Sequence, residues 1–146
     1  SNILERQIGN LKGKKIGLLG LSFKENTDDI RESVSIRLIE HLLKKKCKVI
    51  VHDPKAIENT RKIFLKKIIY CEKYENVFEE SDCAVLMTPW KDYEKISPKL
   101  IKKLKSKLFI DTRRILEFDD KEIIFVSLGI GENKSYDNFL NSSKKL

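Results

Sequence analysis

Several residue types are scarce in this 146-residue chain, and each shortage excludes a class of protein. Three cysteines, an odd number without paired spacing, do not make a disulfide framework. The two histidines, His41 and His52, lie far apart in the sequence and form no recognisable metal-ligand set. No apolar run approaches the roughly 18 residues of a membrane span, and no signal-peptide pattern opens the chain. We therefore expect a cytoplasmic protein with no metal site and no membrane contact.

The cysteines also lack the surroundings of a reactive thiol. Cys71 and Cys83 border predicted strands, and no cysteine lies beside a histidine or in a glycine-rich loop. We therefore interpret them as small buried apolar residues. The chain opens on Ser1-Asn2 without a methionine, which suggests an excised piece of a longer protein or a processed tag.

Positive charge is abundant, with a formal net charge of +8 and a pI near 9.3. The lysines are scattered in short clusters that alternate with isoleucine and leucine, as on solvated helix faces. No zinc-finger spacing or RNA-binding aromatic motif accompanies them. We expect no nucleic-acid partner, and weak attraction to polyanions is the alternative that the charge leaves open.

Short apolar runs alternate with amphipathic segments along most of the chain. The predicted strands are Ile16–Leu21, Lys48–His52, Ile68–Cys71, Cys83–Met87, Leu108–Asp111 and Ile123–Leu128. The predicted helices are Asn2–Leu11, Ser33–Lys46, Ala56–Leu65 and Glu75–Ser81, with helical segments in Tyr93–Leu104 interrupted by Pro98. This alternation predicts an α/β fold with a mostly parallel sheet of about five or six strands and right-handed crossovers. Ligands of such sheets bind beyond the carboxyl ends of the strands.

The connection after the first strand carries the most informative chemistry. Residues 16–33 read IGLLGLSFKENTDDIRES and run from a buried strand through a loop with one lysine and one arginine into a helix. Free backbone N–H groups and the helix dipole favour phosphate there, and Lys24 and Arg31 could add full charges. The G-x-G-x-x-G dinucleotide fingerprint is absent. This strand–loop–helix unit is therefore predicted to bind a nucleotide, but not to bind NAD in the usual way.

Four landmarks in order resemble the C-terminal domain of the UDP-glucose/GDP-mannose dehydrogenase family, over roughly Lys14 to Gly131. The first is the signature G-x-x-F-K-x-x-T-D-D-x-R-E-S, from Gly20 to Ser33. The others are the V-H-D-P-K strand exit at 51–55, the segment from S-D-C-A to T-P-W at 81–90, and F-I-D-T-R-R at 109–114. An ordered set of this kind is far more specific than any one of its motifs.

The resemblance implies a Rossmann-like three-layer α/β/α fold. It also implies an NAD-dependent enzyme that oxidises the C6 alcohol of a nucleotide sugar, most simply UDP-glucose to UDP-glucuronate. The family's catalytic cysteine, catalytic lysine and cofactor fingerprint belong to its N-terminal and central regions, so we expect no catalytic residue here and no turnover by this chain alone. NAD would be bound mainly by the missing N-terminal domain of a homo-oligomeric parent.

Three domain segments follow from this interpretation. Residues 1–13 would be the tail of a linker or central helix, 14–131 the UDP-sugar-binding domain, and 132–146 a polar C-terminal tail. GDP-mannose and UDP-N-acetylhexosamine dehydrogenases remain alternatives. So does a stand-alone module that binds nucleotides or polyanions.

The resemblance also assigns the site residues. Phe23, Lys24 and Arg113 would contact the UDP-sugar, and Arg31 would contact the cofactor pyrophosphate, for which its planar guanidinium is suited.

Four further residues have more than one interpretation or a structural one. Asp28 and Asp29 are expected to cap the helix start and orient Arg31. Trp90 could stack on a base or simply pack. Asp53 is expected to form the turn before Pro54 rather than bind a ribose.

Overall fold

The computed structural model describes residues 2–129, which form six strands, five α-helices and two 3-10 helices. The strands are β1 (Lys15–Leu19), β2 (Lys48–His52), β3 (Ile69–Tyr70), β4 (Cys83–Leu86), β5 (Leu108–Asp111) and β6 (Ile124–Ser127). The α-helices are α1 (Asn2–Ile8), α2 (Val34–Lys44), α3 (Ile57–Phe64), α4 (Tyr74–Glu80) and α5 (Pro98–Ile101). The 3-10 helices are Leu65–Lys67 and Lys91–Lys95.

The six strands form one parallel sheet in the order β3-β2-β1-β4-β5-β6. The chain moves outward from β1 in one direction, returns, and continues in the other direction from β4, so the strand order reverses between β1 and β4. Leu19 of β1 is in register with His52 and Leu86, and Leu86 is in register with Asp111. Four strands therefore end level with one another, and the predicted parallel α/β sheet is confirmed.

Each face of the sheet is covered by its own apolar layer. On one face, Leu18, Val51, Val85 and Ile110 pack against α1, α2 and α3. On the other face, Leu19, Ile50, Leu86 and Phe109 pack against α4, α5 and the 3-10 helix Lys91–Lys95. Neighbouring strand residues alternate between the two layers because successive side chains point to opposite faces. The result is the expected three-layer α/β/α sandwich.

Element bounds differ from the sequence expectation mainly where glycine or proline changes the backbone. The first strand ends at Leu19 rather than Leu21, because Gly20 adopts a φ of +102° and turns the chain out of the sheet. The first helix ends at Ile8 rather than Leu11, followed by Gly9 at a φ of +79°. As predicted, the helical segment is interrupted near Pro98, which is the first residue of α5, and Ser97 caps α5 by accepting a hydrogen bond from the Leu100 N–H.

Membrane-spanning helices and metal-binding clusters, neither of which the sequence predicts, were also sought among residues 2–129. No helix in that range is long and apolar enough to cross a membrane. No group of three or more histidine, cysteine or carboxylate side chains in the same range is arranged to hold a metal ion. The proposed C-terminal tail, 132–146, lies outside the described residues.

Candidate functional site at the carboxyl edge of the sheet

The connection between β1 and α2 begins with a close approach of two backbones. The N–H of Gly20 donates to the carbonyl of His52 at the end of β2. A Cβ added to Gly20 would lie 2.5 Å from the backbone nitrogen of Thr88, just beyond β4. No side chain fits there, so glycine lets the β1 exit lie directly against the β4 exit.

Asp53, at the end of β2, fixes the next residues of this connection. Its Oδ2 accepts hydrogen bonds from the N–H groups of Leu21 and Ser22, at 2.7 and 3.0 Å, and from the Ser22 hydroxyl at 3.0 Å. Its Oδ1 accepts from the N–H groups of Lys55 and Ala56, both at 2.8 Å. The predicted turn-forming role of Asp53 is confirmed, and the additional bonds to Leu21 and Ser22 were not anticipated.

The T-P-W segment after β4 contacts the same loop. Trp90 is 4% exposed, and its indole N–H lies 3.1 Å from Asp53 Oδ2 and 3.2 Å from the Ser22 hydroxyl. The Thr88 hydroxyl donates to the carbonyl of Ser22 at 3.0 Å. Of the two interpretations of Trp90, packing is the one that the structure shows, because a buried indole has no open face for a base.

Phe23 and Lys24 follow this anchored backbone directly and point away from the core. Phe23 is 52% exposed, although its N–H is held by the carbonyl of Asp29 at 2.6 Å. Lys24 is exposed, and no carboxylate within residues 2–129 forms an ion pair with it. The loop thus exposes an apolar ring and, at the next position, an ammonium with no ion-pair partner among the described residues.

Arg31 lies further along the loop and is paired with Asp29. Its guanidinium donates to both carboxylate oxygens, at 3.1 and 2.9 Å, and the Arg31 N–H donates to Oδ1 at 2.9 Å. These bonds hold the pKa of Asp29 at about 2, with the side-chain bond from Arg31 as the largest cause, and Asp29 in turn raises the pKa of Arg31. Asp29 therefore orients Arg31, as predicted.

The other expected role of the aspartates is wrong. Helix α2 has Ser33 at its N-cap, without a side-chain capping bond and without an acidic residue in the first turn. The Ser33 hydroxyl instead donates to the carbonyl of Leu21 at 2.6 Å. Asp28 and Asp29 cannot reach the helix start because the chain makes a further turn at Glu32, whose φ is +58°. The Asp29 carboxylate binds Arg31 within the loop, and the Asp28 carbonyl accepts from Asn59 of α3.

A groove of about 610 Å³ separates the Thr27–Arg31 segment from α3. Asn59, Lys62 and Ile63 line its α3 side, and the Asn59 amide donates to the carbonyl of Asp28 at 2.8 Å. Arg31 therefore lies towards the β2–α3 side of the loop, whereas Arg113 follows β5 on the other side of β1. The four predicted site residues share one edge of the sheet, but its two arginines lie on opposite sides of β1.

Arg113 is anchored by the aspartate at the end of its own strand. Asp111 is fully buried and accepts from the N–H groups of Arg113, Ile115 and Leu116, all at 2.9 Å. The Thr112 hydroxyl donates to the carbonyl of Leu86 in β4 at 2.6 Å. Arg113 is half-buried, and its side chain has no ion-pair partner within residues 2–129.

The buried thiols confirm the interpretation of the cysteines. Desolvation raises the pKa of Cys47 to about 11, that of Cys83 to about 12, and that of Cys71 in the same direction. At neutral pH all three remain protonated, and a protonated thiol is a poor nucleophile.

One buried pair near the site was missed by sequence reasoning. His52 Nδ1 lies 2.9 Å from the hydroxyl of Tyr93, and the two rings meet edge to face. Burial lowers the pKa of His52 and raises that of Tyr93. The residues are 41 positions apart, so no local pattern indicates the contact.

Comparisons with known proteins agree with the geometry. The family model for the UDP-binding domain of the UDP-glucose/GDP-mannose dehydrogenase family matches residues 17–118. A UDP-glucose 6-dehydrogenase of Rickettsia bellii is 36% identical over 117 residues, which is 79% of this chain and 27% of the relative.

Solved structures give the same picture. A UDP-glucose dehydrogenase from Pyrobaculum islandicum superposes with a TM-score of 0.73 and 30% identity, over 88% of this chain and 28% of that one. An NDP-N-acetyl-D-galactosaminuronic acid dehydrogenase from Methanosarcina mazei gives 0.70 and 26%, over 93% and 28%. The chain thus spans little more than a quarter of the length of these relatives.

Proposed function

The chain belongs to the UDP-glucose/GDP-mannose dehydrogenase family, and we propose that it supplies the nucleotide-sugar-binding half of the cleft in an NAD-dependent UDP-sugar 6-dehydrogenase. UDP-glucose, oxidised to UDP-glucuronate, is the leading substrate, because the relative from Rickettsia bellii and the structure from Pyrobaculum islandicum are both named for UDP-glucose. Residues 14–131 would form the binding domain, and the parent would be a cytoplasmic homo-oligomer.

The observation that carries the proposal is a pair of cations at the sheet edge, neither of which has an ion-pair partner in the part of the chain that the structure describes. Lys24 follows β1 and Arg113 follows β5, and each is attached to backbone held by a buried aspartate. With β4 between them, strands β1 and β5 are about 10 Å apart. Two cations carried on loops that leave strands this close together suit a diphosphate, and the exposed Phe23 ring offers an apolar contact for the attached base or sugar.

The same sheet does not fit a dinucleotide bound in the usual way. A pyrophosphate bound at the first turn would need to come close to the backbone of Gly20. Thr88 already lies against Gly20 and occupies that space. Asp53, which occupies the position of a ribose-binding acid, is 2% exposed and its oxygens are already bonded. We therefore propose that NAD is bound mainly by the rest of the longer protein and that Arg31 is this chain's contact with its pyrophosphate.

Catalysis would then require the parts that this chain does not carry. Half of a cleft cannot hold two reactants at the tolerance that hydride transfer needs. We expect the 146-residue chain to give no NAD reduction at 340 nm with UDP-glucose. Measurable turnover by the pure chain would contradict this division of the enzyme.

Binding is the direct test of the proposed site. In a titration of the chain with UDP followed by NMR, the largest amide shifts should fall at 22–24 and 112–114. Lys24→Ala and Arg113→Ala should each weaken UDP binding roughly 10- to 150-fold, the usual effect of losing a hydrogen bond to a charged group. Lys66→Ala, which removes an exposed lysine from the 3-10 helix Leu65–Lys67, is the control and should change nothing.

The alternatives predict different titrations. Preference for GDP over UDP would favour a GDP-mannose dehydrogenase, and preference for UDP-N-acetylhexosamines over UDP-glucose would favour that branch. Binding of heparin and UDP with equal loss in Lys66→Ala and Lys24→Ala would support a polyanion-binding module, which the net charge of +8 favours.

A further inference from the structure

Two of the four sequence landmarks, the D-P exit of β2 and the T-P-W segment after β4, have no ligand contact in the proposed site. Both end instead on the backbone of Leu21 and Ser22. The Asp53 network comprises the hydrogen bonds that Asp53, Thr88 and Trp90 make with these two residues, together with the bond from Trp90 to Asp53.

The Asp53 network leaves no backbone polar group of Leu21 or Ser22 without a partner. Their N–H groups bind Asp53 Oδ2, the carbonyl of Ser22 accepts from Thr88, and the carbonyl of Leu21 accepts from Ser33. The partners come from the ends of β2 and β4 and from the start of α2. Two successive residues with all four groups bound to three separate elements have no freedom to rotate without breaking a buried bond.

Phe23 and Lys24 follow this segment directly, so the loop that carries them leaves the sheet edge from a fixed position. Asp53 itself cannot contact a ligand, because it is 2% exposed and lies under the loop. Its carboxylate is separated from Leu21 by 32 positions in the sequence. Its effect on a ligand at the surface must therefore pass through the loop.

Asp111 provides an internal comparison. It too is a buried strand-end aspartate, and it also anchors the segment that carries a site cation. Its bonds reach only residues two to five positions ahead, in its own connection. Asp111 thus orders Arg113 locally, whereas Asp53 reaches across to a loop from another strand.

From these contacts we propose that Asp53 is a positioning residue for Lys24, and that the D-P and T-P-W landmarks exist to fix the Phe23–Lys24 loop against the sheet edge. This rests on the proposed function, in which Lys24 contacts the diphosphate. It assigns a purpose to two landmarks that the ligand contacts leave unexplained. It also predicts that the network acts on one of the two site cations and not on the other.

The test is a pair of double-mutant cycles on the 146-residue chain, with UDP as the probe. Asp53→Asn should weaken UDP binding about tenfold in the otherwise unchanged chain. In a Lys24→Ala background it should give no further loss, because the cation that it positions is already gone. In an Arg113→Ala background the tenfold loss should persist in full. Equal losses in both backgrounds, or no loss in the unchanged chain, would overturn the proposal.

Two milder variants keep the test decisive if Asp53→Asn does not fold. Ser22→Ala removes the hydroxyl bond to Asp53, and Trp90→Phe removes the indole N–H while retaining an aromatic ring. Each should show the same selectivity between the two backgrounds, with a smaller loss. Denaturant midpoints, measured for every variant, show how far each one is destabilised. General destabilisation would weaken UDP binding alike in both backgrounds, whereas a loss of positioning would not.

Failure of the proposed function can be told from failure of this inference. If the unchanged chain does not bind UDP, the proposed function is wrong, and amide hydrogen exchange then decides the positioning. Asp53→Asn, or Ser22→Ala in its place, should speed exchange at residues 21–24 far more than at 113–116. An equal increase in both segments, or none, would overturn the proposal without reference to a ligand.

Discussion

The two halves of the β1–α2 connection are built in opposite ways. Residues 20–22 are buried, and their backbone groups are bound to three other elements. In the segment from Thr27 to Glu32 every residue is half-buried or exposed, and Arg31, with an 88% exposed side chain, pairs with Asp29 two residues away. One half is held by distant parts of the chain, and the other half largely holds itself.

This difference shows how one sequence signature can carry two kinds of residue. Gly20 and Ser33 are required by the fold, since one allows a close approach and the other binds the carbonyl of Leu21. Phe23, Lys24 and Arg31 contribute little to the core and are exposed. Within the signature, burial therefore separates the residues that build the edge from those available to a ligand.

The largest expected effect is a loss of stability on substitution in the buried half, residues 20–22. Gly20→Ala should lower the free energy of unfolding by about 2–5 kcal/mol, because the new Cβ meets the Thr88 backbone and the positive φ disfavours any L side chain. Gly13→Ala is the matched control, since Gly13 has a φ of +78° with nothing within 4 Å of the added Cβ. It should cost about 1 kcal/mol from strain alone. Equal losses in urea unfolding would mean that the close approach to Thr88 is unimportant.

The next effect separates the two halves by ligand in a full-length enzyme of this type. Lys24→Ala should raise the apparent KM for UDP-sugar roughly 10- to 150-fold while changing that for NAD little. Arg31→Ala should do the reverse, because Arg31 lies on the α3 side of the loop, away from Arg113. Steady-state kinetics with each substrate varied in turn measures both, with ligand dissociation constants as a check on KM. Equal weakening of both ligands by both variants would make the loop a single unit.

Much of this comparison could be predicted from the sequence, and the remainder could not, for a physical reason. Strand positions follow from short apolar runs, and the sheet edge follows from the parallel order, so the neighbourhood of Lys24 and Arg113 was predictable. Asp53, Ser22 and Trp90 meet through bonds that span 31 to 68 positions, and no local period encodes those. The expected capping by Asp28 and Asp29 was wrong because the turn at Glu32 separates them from α2.

A smaller effect is expected on the pH dependence of stability, through the buried side chain of His52. Burial lowers the pKa of His52, although Asp53, Asp92 and Glu75 and the backbone carbonyl of Glu72 act in the opposite direction. The unfolded chain therefore binds a proton near pH 6.5 that the folded chain refuses, so stability is lost as pH falls below that value. The slope cannot exceed about 1.4 kcal/mol per pH unit for one group.

The measurement is urea unfolding between pH 7 and 5, with His52→Gln as the comparison. Burial lowers the pKa of His41 as well, so a reduced slope should remain in His52→Gln. An unchanged slope in that variant would assign the whole effect to other groups and leave the His52–Tyr93 contact without a role in the pH dependence.

The smallest effect is expected in the exposed half, where one substitution should change the pKa of Asp29 without changing the free energy of unfolding. Arg31→Ala should leave the free energy of unfolding at pH 7 unchanged, because an exposed ion pair contributes little. Yet the pKa of Asp29, about 2 in the unchanged chain, should rise most of the way to its ordinary value. Recovery should be incomplete, since the backbone N–H of residue 31 still donates to Oδ1 in the variant.

The depressed pKa of Asp29 means that whatever the ion pair contributes to stability is present above about pH 4 and lost as pH falls towards 2. Carboxyl NMR titration of Asp29 measures the shift, and Lys102→Ala, which removes the partner of Asp120, should leave Asp29 unaffected. A large loss of stability in Arg31→Ala would show that this half is also bound into the fold, and the contrast with residues 20–22 would then fail. If stability holds, any loss of NAD contact in the full-length variant is an effect on the ligand alone.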